Sequence, residues 1–176
     1  QVAGDRAYVH LMITPGMSSH SYEPTAEDLI HLNKADLFVY TGASMEAWAA
    51  DILASLDEEV AVLDVSEGIS LDHTENSQAG SLHMEESEEG HVHTYDPHIW
   101  TSPKNAVIMV ENIADALSLA DPEGEAVYRA NADAYIEQLN DLDERLTELV
   151  SQSSRKTLAL GGSFGFRYLV RDYGLT

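Results

Sequence analysis

The stretch Leu37–Val65, LFVYTGASMEAWAADILASLDEEVAVLDV, decides the fold. Its first four residues are apolar, half of them aromatic, and the run ends just before Gly42, which reads as a buried strand followed by a turn. Ser44 then opens a helix in which Trp48, Ile52 and Leu56 recur every fourth residue and so share one face. After the acidic turn Asp57-Glu58-Glu59, the run VAVLDV at Val60–Val65 is a second strand. Strand, helix and strand in succession favour a parallel sheet with crossover helices over a bundle or a sandwich, so the fold class is α/β.

The pattern extends in both directions. Upstream, Tyr8–Ile13 (YVHLMI) reads as another strand that stops at Thr14-Pro15-Gly16. Thr25 caps a helix with Asp28 three residues on, and Leu29, Leu32 and Ala35 fall on its inner face. Downstream, Ser66–Tyr95 is rich in Glu, Ser, Gly, Asn and His with no apolar period, which makes it a long surface loop. Pro103 starts a helix that runs to about Leu119, with Val107, Val110, Ala114 and Leu117 in one stripe. From Asp121-Pro122 a longer helix continues to Val150, with Val127, Ala130, Ala134, Leu139, Leu142, Leu146 and Leu149 as its apolar positions. Thr157–Leu160 reads as a further strand and Phe164–Tyr173 as a helix. The expected organisation is an N-terminal lobe over residues 1–120, a long connecting helix over 121–154, and the start of a second α/β lobe over 155–176. One β-α unit cannot bury its own faces, so the chain is expected to be a piece of a longer protein.

Composition narrows the function. Among 176 residues, 31 Asp and Glu against 9 Lys and Arg give a formal charge of -22, which repels nucleic acid and anionic lipid and gathers cations. There is no cysteine, so a transition metal has to be held by imidazole and carboxylate. No apolar run approaches the roughly 20 residues of a membrane span. The HExxH spacing of a zinc hydrolase does not occur, and the chain is read as a non-enzyme.

Two loops carry chemistry. The first is PGMSSHSYEPT, Pro15–Thr25, at the carboxyl end of the first predicted strand, where open α/β sheets bind ligands. Its His20 is either a metal ligand or a solvated side chain. The second is DPHIWTSPKNA, Asp96–Ala106, in which Asp96 is placed to fix the His98 ring and Trp100 to shield it from water. Taken alone, this second motif fits a structural turn equally well.

Together these loops resemble the metal-binding substrate-binding proteins of bacterial ABC importers for zinc and manganese, some first described as streptococcal adhesins. The resemblance runs along essentially the whole chain. It includes Lys34-Ala35-Asp36-Leu37, Gly42 and Trp48, and the closing Phe166-Arg167-Tyr168 to Tyr173-Gly174-Leu175. It implies two α/β lobes joined by one long helix, with a metal between them, His20 and His98 being the two ligands from the N-terminal lobe. The third family ligand, His or Glu, falls on Ser163 here, and a neutral hydroxyl serves zinc poorly. His73, His83, His91 and His93, among the acids of the 66–95 loop, suit an accessory gathering role, and imidazole donors favour Zn2+ over Mn2+. His10 and His31 are read as structural. The resemblance further implies a monomeric, extracytoplasmic protein, periplasmic or lipid-anchored, whose partners are a transition-metal ion and an ABC transporter membrane permease. A manganese-binding member, or a surface adhesin with weak metal affinity, is the alternative.

Overall fold

The computed structural model describes residues 1–74, 95–161 and 164–176. Helix α1 (Ala26–Leu32) starts where the sequence places it. The Thr25 hydroxyl accepts from the Asp28 N–H, and the Asp28 carboxylate accepts from the Thr25 N–H at 2.7 Å, a complete capping box. Strands β1 (Leu37–Tyr40) and β2 (Ala61–Asp64) pair in parallel with Leu37 opposite Ala61 and Tyr40 opposite Asp64. Helix α2 (Ala49–Leu53) makes the crossover, and Leu32, Phe38, Ile52 and Val60 close one apolar cluster beneath it. The α/β reading therefore holds.

Helix α3 (Pro103–Ala120) packs on α4 (Glu125–Gln152), and Val110, Ala114, Tyr128, Ala132 and Leu139 form a second cluster between them. A 3-10 turn over Pro122–Gly124 separates the two helices. Helix α5 (Arg167–Tyr173) returns to the N-terminal part and inserts Tyr168, fully buried, beside Ile69 and Ile99.

Four expectations are corrected. Tyr8–Ile13 forms no strand: no backbone among the described residues pairs with it, and Tyr8 stands 92% exposed. A strand exists only as one rung of a ladder, however β-prone its residues. Thr157–Leu160 likewise lacks a ladder, making only a short contact with the chain's last residue through the Leu158 N–H and Thr176 O at 2.7 Å. The helix expected from Ser44 starts at Ala49, because the N–H groups of Met45 and Glu46 both turn back to the Gly42 carbonyl, and the Glu46 carboxylate takes the Thr41 N–H at 2.6 Å. Gly42 sits at φ 111°, and a Cβ there would lie 2.8 Å from Ser66 Oγ, so this turn admits glycine alone. The last helix begins at Arg167 and not at Phe164.

The stripe on α4 is also shifted. Its buried positions are Tyr128, Ala132 and Leu139, with Tyr135 and Ile136 beside them, whereas Val127, Leu142 and Leu149 are exposed. An aliphatic scan misses a face on which Tyr and Ala make the closest packing against α3.

The capping box yields a stability prediction. Burial pushes the Asp28 carboxyl up, but hydrogen bonds from Thr25 and from the Tyr22 hydroxyl outweigh it and hold it below its ordinary value. A lowered folded-state value means that the contribution is present above about pH 4 and fades as pH falls through the lowered value. Thr25→Ala and Asp28→Ala are each expected to cost about 1 kcal/mol at neutral pH. In thermal melts the deficit of Asp28→Asn should shrink on acidification; a deficit that is constant with pH would contradict the ionic cap.

Candidate metal centre

The first loop is shaped by turns and held by a tryptophan. Met17 N–H closes a turn on the Thr14 carbonyl at 3.1 Å, with Gly16 at φ 96°. Beyond it the Trp48 indole N–H donates to the Ser19 carbonyl at 3.1 Å, one residue before His20. The Tyr22 ring stands edge-on to Trp48 at 5.3 Å, two residues after it. His20 is thus bracketed from both sides by the start of α2, and its Nδ1 is shielded from solvent.

The second loop is built around Asp96, which is 5% exposed. Its Oδ1 accepts the backbone N–H of His98 at 2.9 Å and faces the His98 ring Nδ1 at 3.0 Å. Its Oδ2 accepts from Arg167 Nε at 3.2 Å. The Tyr168 hydroxyl donates to the Asp96 carbonyl at 2.7 Å and accepts from the Asp72 N–H at 3.2 Å. Desolvation would raise the Asp96 carboxyl, but the His98 ring and backbone, with Arg167, hold it below the usual carboxylate range. It is therefore ionised at neutral pH and acts only as an acceptor, which favours the tautomer whose Nδ1–H donates to it and whose Nε2 carries the lone pair. A 3-10 turn over Ile99–Thr101 follows, with Ile99 buried, and Ser102 caps α3 through Asn105 N–H. Ser102 Oγ also donates to Asp172 on α5.

The two predicted ligands meet. The rings of His20 and His98 lie 5.6 Å apart between centroids at an angle of 64°. Gly165 lies against the His98 ring, where a Cβ would sit 3.2 Å from Cδ2, so bulk is excluded at this contact. Trp100 stands edge-on to His98 at 5.5 Å and covers one side while remaining 42% exposed, a partial shield.

Other predicted residues are placed elsewhere. His73 meets Tyr95 with ring centroids 4.3 Å apart in a tilted contact and bridges it in antiparallel fashion, so it is tied to Tyr95. Ser66–Ile69 is a packed turn with Ile69 buried, so the expected surface loop does not begin at Ser66. His83, His91, His93 and Ser163 lie outside the described residues. Among the described residues no third His, Cys, Asp or Glu joins His20 and His98. His10 and His31 are both exposed rather than packed into a core. The sequence reading did not single out Trp48 or Arg167 as supports of the ligands, although both stand in quoted motifs.

The family model described as zinc-uptake complex component A, periplasmic, matches residues 1–176. The chain belongs to that family. It is 39% identical over 177 residues to a zinc-binding lipoprotein, AdcA, of Streptococcus pneumoniae (strain ATCC BAA-255 / R6), covering 99% of this chain and 34% of that protein. It is 34% identical over 186 residues to the high-affinity zinc uptake system protein ZnuA of Bacillus subtilis (strain 168), covering 99% and 54%. The crystal structure of Zn(II)-bound AdcA from Streptococcus pneumoniae superposes with a TM-score of 0.83 at 35% identity, covering 99% of this chain and 34% of that one. The chain therefore spans about a third to a half of the length of these relatives, and its α/β architecture is shared with the part of the AdcA structure that it matches.

The support given to His98 is testable by affinity. Asp96→Ala removes the acceptor that fixes its ring, and loss of such a partner weakens metal binding by about 10- to 100-fold. A zinc titration with unchanged Kd would sink the role assigned to Asp96.

Proposed function

We propose that this chain forms the N-terminal lobe, the connecting helix and the start of the second lobe of an extracytoplasmic solute-binding protein. The whole protein captures Zn2+ and delivers it to the membrane permease of an ABC importer. The observation that carries the reading is the approach of His20 and His98, the latter oriented by a buried, ion-paired carboxylate. Zinc binds imidazole nitrogen at about 2.0–2.1 Å in tetrahedral geometry, which sets two ligating ring centres about 5.2 Å apart. The observed 5.6 Å is reached from that value by a small side-chain adjustment. Zinc in the names of the relatives supports the same cargo, and imidazole donors favour it over manganese.

The task of the site is binding, with no covalent step. His20 and His98 supply two donors, Asp96 keeps His98 in the ligating tautomer, and Trp100 limits access of water. The two donors leave the tetrahedron half filled. Ser163 occupies the position of the family's third ligand, so the remaining donors are expected from elsewhere in the full protein. Residues 1–120 form the lobe that carries both histidines, and 121–154 is the rigid connector. The exposed Leu142 and Leu149 on the far half of α4 fit a helix that extends past this lobe toward a second one over 155–176 and beyond. No helix among the described residues is long and apolar enough to cross a membrane. The names of the relatives support a site outside the cytoplasm, periplasmic or lipid-anchored, and our reading is of a monomer.

The test is a thermal-shift titration of the full-length protein with Zn2+ and with Mn2+. Ligand at a hundred times Kd stabilises by about 2.7 kcal/mol, so Tm should climb with zinc and climb less with manganese. His20→Ala and His98→Ala should each abolish most of the zinc shift. Shifts equal to wild type in both variants would overturn the reading.

A further inference from the structure

A second pair of histidines stands outside the site just described. His10 lies in the unpaired run before the first loop, and His31 lies in the last turn of α1. Their ring centroids are 5.5 Å apart with planes at 69°. That geometry matches the His20–His98 pair, at 5.6 Å and 64°, and the spacing of about 5.2 Å that two imidazoles adopt on one tetrahedral zinc. Both rings are exposed, so burial does not drive their contact. In water two neutral imidazoles gain little from touching, and two protonated ones repel.

We propose that His10 and His31 form a surface bis-imidazole site for a borderline divalent cation, Zn2+ or equally Cu2+ or Ni2+, separate from the His20–His98 centre. Imidazole pairs select these ions, whereas Mn2+, Mg2+ and Ca2+ seek carboxylate and carbonyl oxygen. Among the described residues no third His, Cys, Asp or Glu completes the pair, so water fills the other positions and the site exchanges its ion readily. Glu27, one turn earlier on α1, adds negative charge on the same side of the helix as His31. The strongly negative chain concentrates cations around it. A labile site of this kind holds metal at the surface without competing with a deeper, more fully coordinated one.

The test reads individual histidines, because the chain has eight of them and bulk zinc binding does not tell them apart. The full-length protein and its His20→Ala/His98→Ala variant are treated with diethylpyrocarbonate over a range of Zn2+, and modification of each histidine is followed by peptide mass spectrometry. Zinc should suppress modification of His10 and His31 in parallel, with one midpoint, in both proteins, and Mn2+ should not. His31→Ala should restore modification of His10 at saturating zinc; since both residues are exposed, these variants are expected to fold. Unchanged modification of His10 with zinc, protection that survives His31→Ala, or equal protection by Mn2+ would each overturn the assignment. Because the assay is run with and without His20 and His98, its failure is distinct from failure of the transport site.

Discussion

Asp96 is a charged group held almost wholly out of water, and burying an unpaired carboxylate costs several kcal/mol. Both carboxylate oxygens therefore have partners: the His98 ring and backbone on one side, Arg167 on the other. This arrangement converts a flexible imidazole into a ligand with one available nitrogen. It also makes the site depend on a residue 71 positions away in the sequence. Arg167 reaches Asp96 only while α5 is docked, and the docking rests on Tyr168 between the Asp96 carbonyl and the Asp72 N–H, on Ser102 with Asp172, and on Arg171 with Asp72.

The rest of the fold serves that docking. Helices α3 and α4 pack along the Val110, Ala114, Tyr128, Ala132 and Leu139 face, and their antiparallel run brings the chain back to where α5 begins. Asn112 on α3 donates to the carbonyls of Val65 and Glu67 just past β2, which fixes the sheet against the same helix. Tyr173 reaches Asp143 on α4 at 2.7 Å, and this hydrogen bond, after burial, pushes its hydroxyl well above the ordinary tyrosine value. The hydroxyl therefore stays a donor at any physiological pH, and the far end of α5 remains tied to the long helix.

Local signals were legible and long-range ones were not. The capping box at Thr25 and Asp28 and the proline start of α3 rest on neighbours within a few residues, and the parallel pair joins strands consecutive in the chain through α2, so the sequence states them directly. His20 and His98 were legible as a pair because each stands in a motif whose residues all lie close by, and the structure brings their rings to 5.6 Å. The runs at 8–13 and 157–160 have strand composition but lack a ladder partner among the described residues, and composition carries no information about partners. Arg167 escaped for the same reason: nothing near it in the chain indicates a buried carboxylate 71 residues earlier. The face of α4 was judged correctly at Leu139 but not at Tyr128 and Ala132, which are buried with it while Leu142 and Leu149 are exposed.

The two histidines are anchored independently. His20 depends on Trp48, which belongs to the cluster of Leu32, Phe38, Ile52 and Val60, whereas His98 depends on Asp96, set beside the cluster of Ile69, Ile99 and Tyr168. The 5.6 Å between the rings is set where these two packed regions meet. Side chains already held in place lose little freedom on binding, which favours rapid capture. Two donors still leave half of a tetrahedral shell to be completed from beyond this pair, so tight holding requires the remaining donors to close in. Under the proposed function, a half site of two donors suits a carrier, because a site left half filled binds the ion weakly enough to release it.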